Sequence, residues 1–580
     1  MEPAEGPRGR EGGSQRRSPL DVIMSQIRRK RTSSDRKPLG RFLSWSSDRT
    51  GIPEDGETEA REEKGNSSAA AEAADGARDI GWGRVCLFLQ KLGKKTDSRG
   101  LSLAHCDLTA TDLLELATLL ECLPELEELD VSWNELIGGC LKALTSHLQQ
   151  VGALRALRMC GCRLSPDDVA ALGEVLSCMP LVEILDLSWN NGVGGGALQG
   201  WLVPPDPPLR ELHLVSCQLT AADAALLGRI VSTLPRLRVL DVSCNALLGQ
   251  EGGGGGAGFG QLAASLSHAA TLNTLRLQAC GLTVDSLGDL GGALRSLPAL
   301  RELDLSSNKS LAGGLNRLTL HLAHLTHLES LGLHRCGLKR DDLEALIQAL
   351  PALTALTALN VSANKEVGGV VHALVSALPL MQMKHLPLNS CSLNEESFTA
   401  LALAVPYLSS VDVSWCKVVG GRLALLLDAL QPSVVVELRL SSCGLTTEDL
   451  RHLAAACQRG GLSSLRVLDV SYNGSVGHEG WSALFAAGGL GLLEDLDLSL
   501  RPSTSAPCSS WLPTLLRALP CLPALTRLAA QRWTISSQER EKLERLLRKR
   551  NVQLEWDSTN EGGALFLKST NQEKSEETEE

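Results

Sequence analysis

One motif recurs through most of this chain and limits what it can fold into. LEELDVSWNELIGG (126–139) returns as VEILDLSWNNGVGG (182–195), LRELDLSSNKSLAGG (300–314), LTALNVSANKEVGG (356–369), LSSVDVSWCKVVGG (408–421) and LRVLDVSYNGSVG (465–477). A second unit alternates with it and carries Cys where the first carries Asn, as in LRALRMCGCRL (154–164) and LRELHLVSCQL (209–219). The Cys series is Cys106, Cys162, Cys217, Cys280, Cys336, Cys391 and Cys443. The Asn series is Asn134, Asn190, Asn245, Asn308, Asn364 and Asn473, with Cys416 substituting once. Same-type positions lie mostly 55 to 56 apart, so one unit is about 28 residues, and 16 units fill residues 98–557. A unit this short cannot bury an apolar face alone, so neighbours must stack.

Each L-x-L segment predicts a short strand with its leucines inward, followed by an inward Asn that bonds neighbouring turns or a Cys that fills the same small slot. The second half of each unit, such as DDVAALGEVLSCMP, has helical apolar spacing and an Asp at its start, where the helix dipole favours negative charge. Stacked strands need about 4.8 Å and packed helices about 8–10 Å, so the helix side fans out and the strand side becomes concave. The glycine pairs suit a tight turn before the helix, where positive φ is cheap.

This L-x-x-L-x-L-x-x-N/C-x-L pattern resembles the leucine-rich repeat, and its alternating 28-residue unit resembles the ribonuclease-inhibitor subfamily over about four-fifths of the chain. The resemblance implies an α/β horseshoe solenoid with a parallel concave sheet and convex helices. It also implies a non-enzymatic protein-binding role. The W/S/Y-N-x-x-V/L-G-G signature, FLQKLGKK (88–95) and MSQIRRKRTSS (24–34) resemble a narrower vertebrate branch found in epithelial tissue. That narrower resemblance begins at Met24, an alternative start to Met1.

Residues 1–80 lack apolar periodicity and are expected to be disordered; their net charge is +6 over 1–50 and −6 over 51–80. Residues 81–97 carry Val85, Phe88, Leu89 and Leu92 at helical spacing and are expected to form a helix capping the open end of the stack. Residues 558–580 are expected to form a disordered acidic tail. No apolar run approaches the roughly 18 residues a membrane span needs, and the N-terminus has no apolar signal segment. A cytoplasmic location is expected, with the nucleus open to it through Arg28–Arg31. The 17 cysteines are then reduced and act as small apolar groups. The net charge of −11 argues against nucleic-acid binding. The partner is expected to be a protein, with the chain itself a monomer. Arg28–Arg31 precede Thr32, Ser33 and Ser34, which suit a basophilic kinase; nuclear import or a plain solvated tail are the competing readings.

Two sets of residues could carry binding. Between the strand leucines stand Asp130, Arg158, Asp186, His213, Asp241, Arg276 and Asp304, then the uncharged Gly332, Asn360 and Pro387, then Asp412, Arg439, Asp469 and Asp497. Acid and base alternate over the first seven, so neighbours are expected to pair across strands. This row is either a register-holding charge ladder or a partner surface. The second set is Trp133, Trp189, Trp415 and Tyr472, on one rim, either packed on the adjacent turn or acting as interface anchors. Trp133 and Trp189, two strands apart, are expected to be about 10 Å from each other.

EGGGGGAGFGQ (251–261) lacks the G-K-[ST] ending of a phosphate loop and reads as an insertion on the convex side. Cys160 and Cys162 have no second ligand pair, and no catalytic constellation, metal site or cofactor site emerges. A binding scaffold is the leading reading. The alternatives are a ribonuclease-inhibitor-like enzyme inhibitor, whose partner would be basic, and a small-GTPase-activating solenoid, suggested by the acidic tail. Pro387 cannot donate to a sheet ladder, so the sheet is expected to be irregular between the units at 356 and 408.

Overall fold

The structure, a computed structural model, describes residues 86–90, 99–201, 207–250 and 258–557. The expectations for 1–80, for Thr32, Ser33 and Ser34, and for 558–580 lie outside the described residues. So does most of 81–97. Within it, residues 86–90 are helical, with Phe88 and Leu89 buried in the common core and Leu87 exposed.

Parallel strands follow one another in chain order. Ten run from Gly100–Ser102 to Ala358–Asn360. Six more run from Ser410–Asp412 to Gln553–Glu555. His385 joins the two blocks as a single bridging residue, paired with Ala358 on one side and Ser410 on the other. The break falls at the unit that carries Pro387. Gln553–Glu555 adds one rung beyond the 16 units counted from sequence. Helices such as Ala110–Leu120, Pro166–Leu176 and Thr447–Gln458 cover the other face, and the leucines between the two layers form the core.

Three side-chain devices hold successive units together. The first is the buried Asn. Asn134 donates its amide to Leu103 O at 3.0 Å and Val131 O at 2.7 Å. Its Oδ1 accepts from Cys106 N at 3.1 Å and Leu108 N at 3.0 Å. One side chain thus satisfies four backbone groups in a turn that has no ladder of its own. The second is the Cys, whose thiol points at a carbonyl of the preceding unit: Cys162 Sγ to Val131 O at 3.2 Å and Cys217 Sγ to Leu187 O at 3.3 Å. Burial pushes both thiols up to about 12, so they stay neutral.

The third device was only half visible in the sequence. In four of the Cys units the Asp near the helix start, Asp168, Asp223, Asp342 or Asp449, caps its own helix and is also buried against the glycines of the preceding unit. Asp168 accepts from Ser165 N and Ser165 Oγ, both at 2.8 Å, and from Gly139 N at 2.5 Å and Leu141 N at 2.9 Å. Asp223 does the same with Thr220, Gly195 and Gly196. A buried carboxylate is tolerated because four donors and a helix N-terminus surround it. The glycines are required: Gly139 has φ +81°, and a Cβ on Gly138 would lie 2.0 Å from Arg163 O.

The glycine-rich insertion differs from expectation at its end. Residues 251–257 are outside the described set, but Gly258–Ser265 is helix, with Phe259 buried. A Cβ on Gly258 would meet Ala221 O at 1.9 Å, so close helix packing explains at least that glycine. The aromatic-poor core also changes near the C-terminus, where Trp481, Phe485, Trp511 and Trp533 pack together. Trp533 stands where Asn would be, and its indole donates to Leu498 O at 2.8 Å, replacing the Asn amide.

Candidate protein-binding face and rim

The strand register places the predicted row side by side. Asp130 pairs in register with Arg158, Arg158 with Asp186, Asp186 with His213, His213 with Asp241, and Asp241 with Arg276. The expected alternating ion pairs do not follow from that proximity. Each Asp turns back on its own chain instead: Oδ1 of Asp130 accepts from Ser132 N at 2.9 Å and Oδ1 of Asp186 from Ser188 N at 2.9 Å. Asp241, Asp304, Asp412, Asp469 and Asp497 repeat this bond. A bond two residues away costs little ordering entropy, so it is made in preference to a long cross-strand reach. It also supports the left-handed residue that follows at each Asn unit, such as Trp133 at φ +62°.

The bases find other acids. Arg158 meets Glu128 at 3.3 Å, and His213 meets Glu211 at 3.4 Å. Arg276 is bidentate to Glu302 at 2.7 and 3.0 Å and lies 3.6 Å from Asp241, the one predicted cross-strand pair that forms in this row. Those bonds raise the Arg276 pKa, with the Glu302 hydrogen bonds the largest cause. A second row, just before each strand, was missed. Arg99–Glu127, Arg155–Glu183, Arg210–Glu183, Arg301–Glu329 and Arg466–Glu494 are its ion pairs. The R/E alternation in LRELDL and its sisters carried the signal.

In the middle of the face the row between the strand leucines carries no charge at Gly332, Asn360 and Pro387, although Glu329 and Lys384 stand just before two of those strand positions. Gly332 is small for a reason: a Cβ there would lie 2.3 Å from Asp304 Oδ1. Beside it, His334 Nδ1 meets Ser362 Oγ at 2.8 Å, and burial lowers its pKa. Toward the C-terminus Arg527 sits among Asp495 at 2.6 Å, Glu555 at 3.0 Å and Asp497 at 3.4 Å. Among the described residues no group of three or more His, Cys, Asp or Glu is arranged to hold a metal ion, and no helix is long and apolar enough to cross a membrane.

The aromatic rim divides into two clusters of different character. Trp133 stacks on His105 at 5.8 Å, nearly parallel, and meets Trp189 at 6.1 Å. The rings are closer than the 10 Å expected of their strands because they lean together across Gly161, whose Cβ would lie 2.5 Å from the Trp133 ring. Both rings are half-buried. Trp415 is 55% exposed, with Tyr472 edge-on at 6.2 Å and the Arg501 guanidinium at 6.0 Å. Arg501 was not foreseen. It occupies the Asn position of LDLSLR (496–501), and its side chain swings out to Trp415 and to Ser442 Oγ at 2.5 Å.

A family model described as Leucine Rich repeat matches residues 461–485. The ribonuclease inhibitor of Sus scrofa is 30% identical over 409 residues, covering 68% of this chain and 86% of the relative. The ribonuclease inhibitor of Mus musculus is 31% identical over 372 residues, 62% of this chain and 80% of the relative. A solved yeast complex of Rad7 and Elc1 has a chain 16% identical, with a TM-score of 0.42 over 71% of this chain and 91% of that one. The alternating Asn and Cys units, the strand–helix stack and the inhibitor relatives agree: the chain belongs to the ribonuclease-inhibitor-type family of leucine-rich-repeat proteins.

Proposed function

We propose that the chain is a non-enzymatic scaffold that binds a protein partner through the exposed sheet face and the aromatic rim. The observation that carries this reading is Trp415, the one exposed tryptophan among the described residues. An indole left in water beside a tyrosine and a stacked guanidinium has the composition of an interface anchor. The Trp133–Trp189 cluster is the weaker anchor, because its rings already cover one another. Along the face, Arg158, His213 and Arg276 are held by their own chain, so they supply shape and register more than free charge. A photo-crosslinking residue in place of Tyr472, compared with one in place of Glu344 on the helix side, tests this in epithelial cells. Adducts from position 472 that vanish in Trp415→Ala support the reading; equal adducts from both positions contradict it.

The second reading is inhibition of a ribonuclease, favoured by the two inhibitor relatives. Adding the purified chain to a pancreatic-type ribonuclease and following RNA cleavage decides it. The cytoplasmic location, the monomeric state, the epithelial branch and phosphorylation at Thr32, Ser33 or Ser34 belong to the same proposal. Phosphate absent from all three in stimulated cells removes the regulatory part.

A further inference from the structure

Several units turn from helix to strand through an apolar residue and proline, as at Leu123–Pro124, Met179–Pro180 and Leu297–Pro298. The unit that begins at Val467 has no such proline and, like the RGGLSSL (459–465) of the unit before it, turns on a glycine pair. After the helix His478–Ala486 the chain instead reads AGGLGLL (487–493). Gly488 and Gly489 take φ of +69° and +78°, and a Cβ on Gly489 would lie 2.5 Å from Cys457 O. Residues this small leave a gap beside the next helix, Leu512–Ala518. The result is a pocket of about 330 Å³, open to solvent on one side.

Its walls are apolar: Leu484, Phe485, Leu493, Leu496, Ala518 and Leu522. A dry cavity of roughly 150 Å³ lined by such residues already takes up benzene-sized apolar molecules, so this one can accept a longer guest. At roughly 30 Å³ per methylene-sized group, it has room for about ten carbons. The lining carries hydrogen-bonding side chains at one place, where the part-buried Thr514 and the exposed Arg517 stand on the helix Leu512–Ala518. Arg517 donates to Pro513 O at 3.3 Å and to Thr514 Oγ1 at 3.2 Å. It meets no carboxylate among the described residues, although most arginines of this solenoid do. A guanidinium in this state has donors left for a bidentate carboxylate.

We propose that this pocket binds a linear apolar monocarboxylate of about ten to twelve carbons, with its tail between the two helices and its carboxylate on Arg517. The site is separate from the sheet face and rim, so it stands or falls independently of the partner reading. Phe485 lies on the wall and packs against Trp481 at 6.4 Å and Trp511 at 5.6 Å, which supplies a reporter.

The test uses the purified full chain and 11-bromoundecanoic acid below its micelle concentration, whose terminal bromine is about the size of a methyl group and quenches tryptophan fluorescence. The expected result is saturable quenching at one probe per chain, reversed by dodecanoate. Ala518→Phe fills the pocket and should abolish the quenching with an unchanged or raised Tm. Thr514→Tyr is the second narrowing variant, in case the first does not fold. Arg517→Gln should weaken dodecanoate about tenfold, the loss of one charge-assisted hydrogen bond, and leave dodecanol unchanged. No saturable quenching, or quenching that survives a folded narrowing variant, overturns the site. Dodecanol competing as well as dodecanoate overturns the role of Arg517.

Discussion

Residues 126–245 and residues 356–416 carry buried apolar residues, mostly Leu and Val, at the same repeat positions, yet the two regions are tied together differently. In the first, each connecting device is present. Asn190 donates to Met159 O at 2.8 Å and accepts from Cys162 N and Leu164 N, both at 3.0 Å. In the second, three devices fail together. Pro387 has no N–H, and the bond that Leu333 N makes to Asn360 O at 2.8 Å has no counterpart from Val361 to Pro387. Cys416 stands in the Asn slot, so Cys391 N and Leu393 N face a thiol in place of an amide oxygen. Ser397 replaces the caging Asp and turns its hydroxyl to Gly368 O. Even the thiol contact is longer, with Cys391 Sγ 3.6 Å from Val361 O. Leucines alone therefore do not set how firmly units couple; the polar side chains between them do.

That contrast can be broken by mutation, and the largest effect belongs to the buried carboxylate. Asp223→Ala strands donors from Thr220, Gly195 and Gly196 and should cost about 3–5 kcal/mol. Ser397→Ala at the junction should cost only about 1 kcal/mol. Chemical denaturation of both variants checks the difference; similar losses remove the distinction. Next comes Cys217. Its replacement by Ala should cost about 1–2 kcal/mol, whereas Cys217→Asp leaves a charge with no partner and should be several times worse. Equal melting temperatures for the two contradict the burial.

Repairs at the junction should be smaller and of opposite sign. Cys416→Asn supplies an amide oxygen for two N–H groups and replaces the thiol that donates weakly to Leu388 O at 3.4 Å by an amide, for a gain of about 1 kcal/mol. Pro387→Arg returns a ladder N–H aimed at Leu359 O and should slow exchange there by a few fold. The same change leaving partner binding intact shows that the uncharged stretch of the row is not a docking spot. The smallest effect is in pH. Burial raises the pKa of Asp412 and Asp469 above the ordinary carboxylate value. The folded state then holds protons that the unfolded state has released, so their contribution to stability falls as pH rises through that window. Asp469→Asn should flatten that slope in acid titrations of Tm; an unchanged slope contradicts it.

The repeat made the layers, the register and the inward Asn and Cys legible, because periodicity states which residues share a face. Pro387 was legible for the same reason: its lack of N–H is independent of context. Periodicity does not state which partner a polar side chain chooses. Asp130 looked like the mate of Arg158, but Ser132 N is nearer along the chain. Arg501 and Trp533 were hidden because both occupy an Asn slot in degenerate units. One swings out to the rim, and the other substitutes its indole for the amide.

Native-state hydrogen exchange compares the two regions directly. The amides of Cys162 and Leu164, bonded to Asn190, should exchange slowly, while those of Cys391 and Leu393, facing Cys416, should exchange at least tenfold faster, with Cys416→Asn bringing the second pair toward the first. Equal protection of both pairs in the unmodified chain would contradict the claim that the polar side chains, and not the leucines, decide how firmly the units are joined.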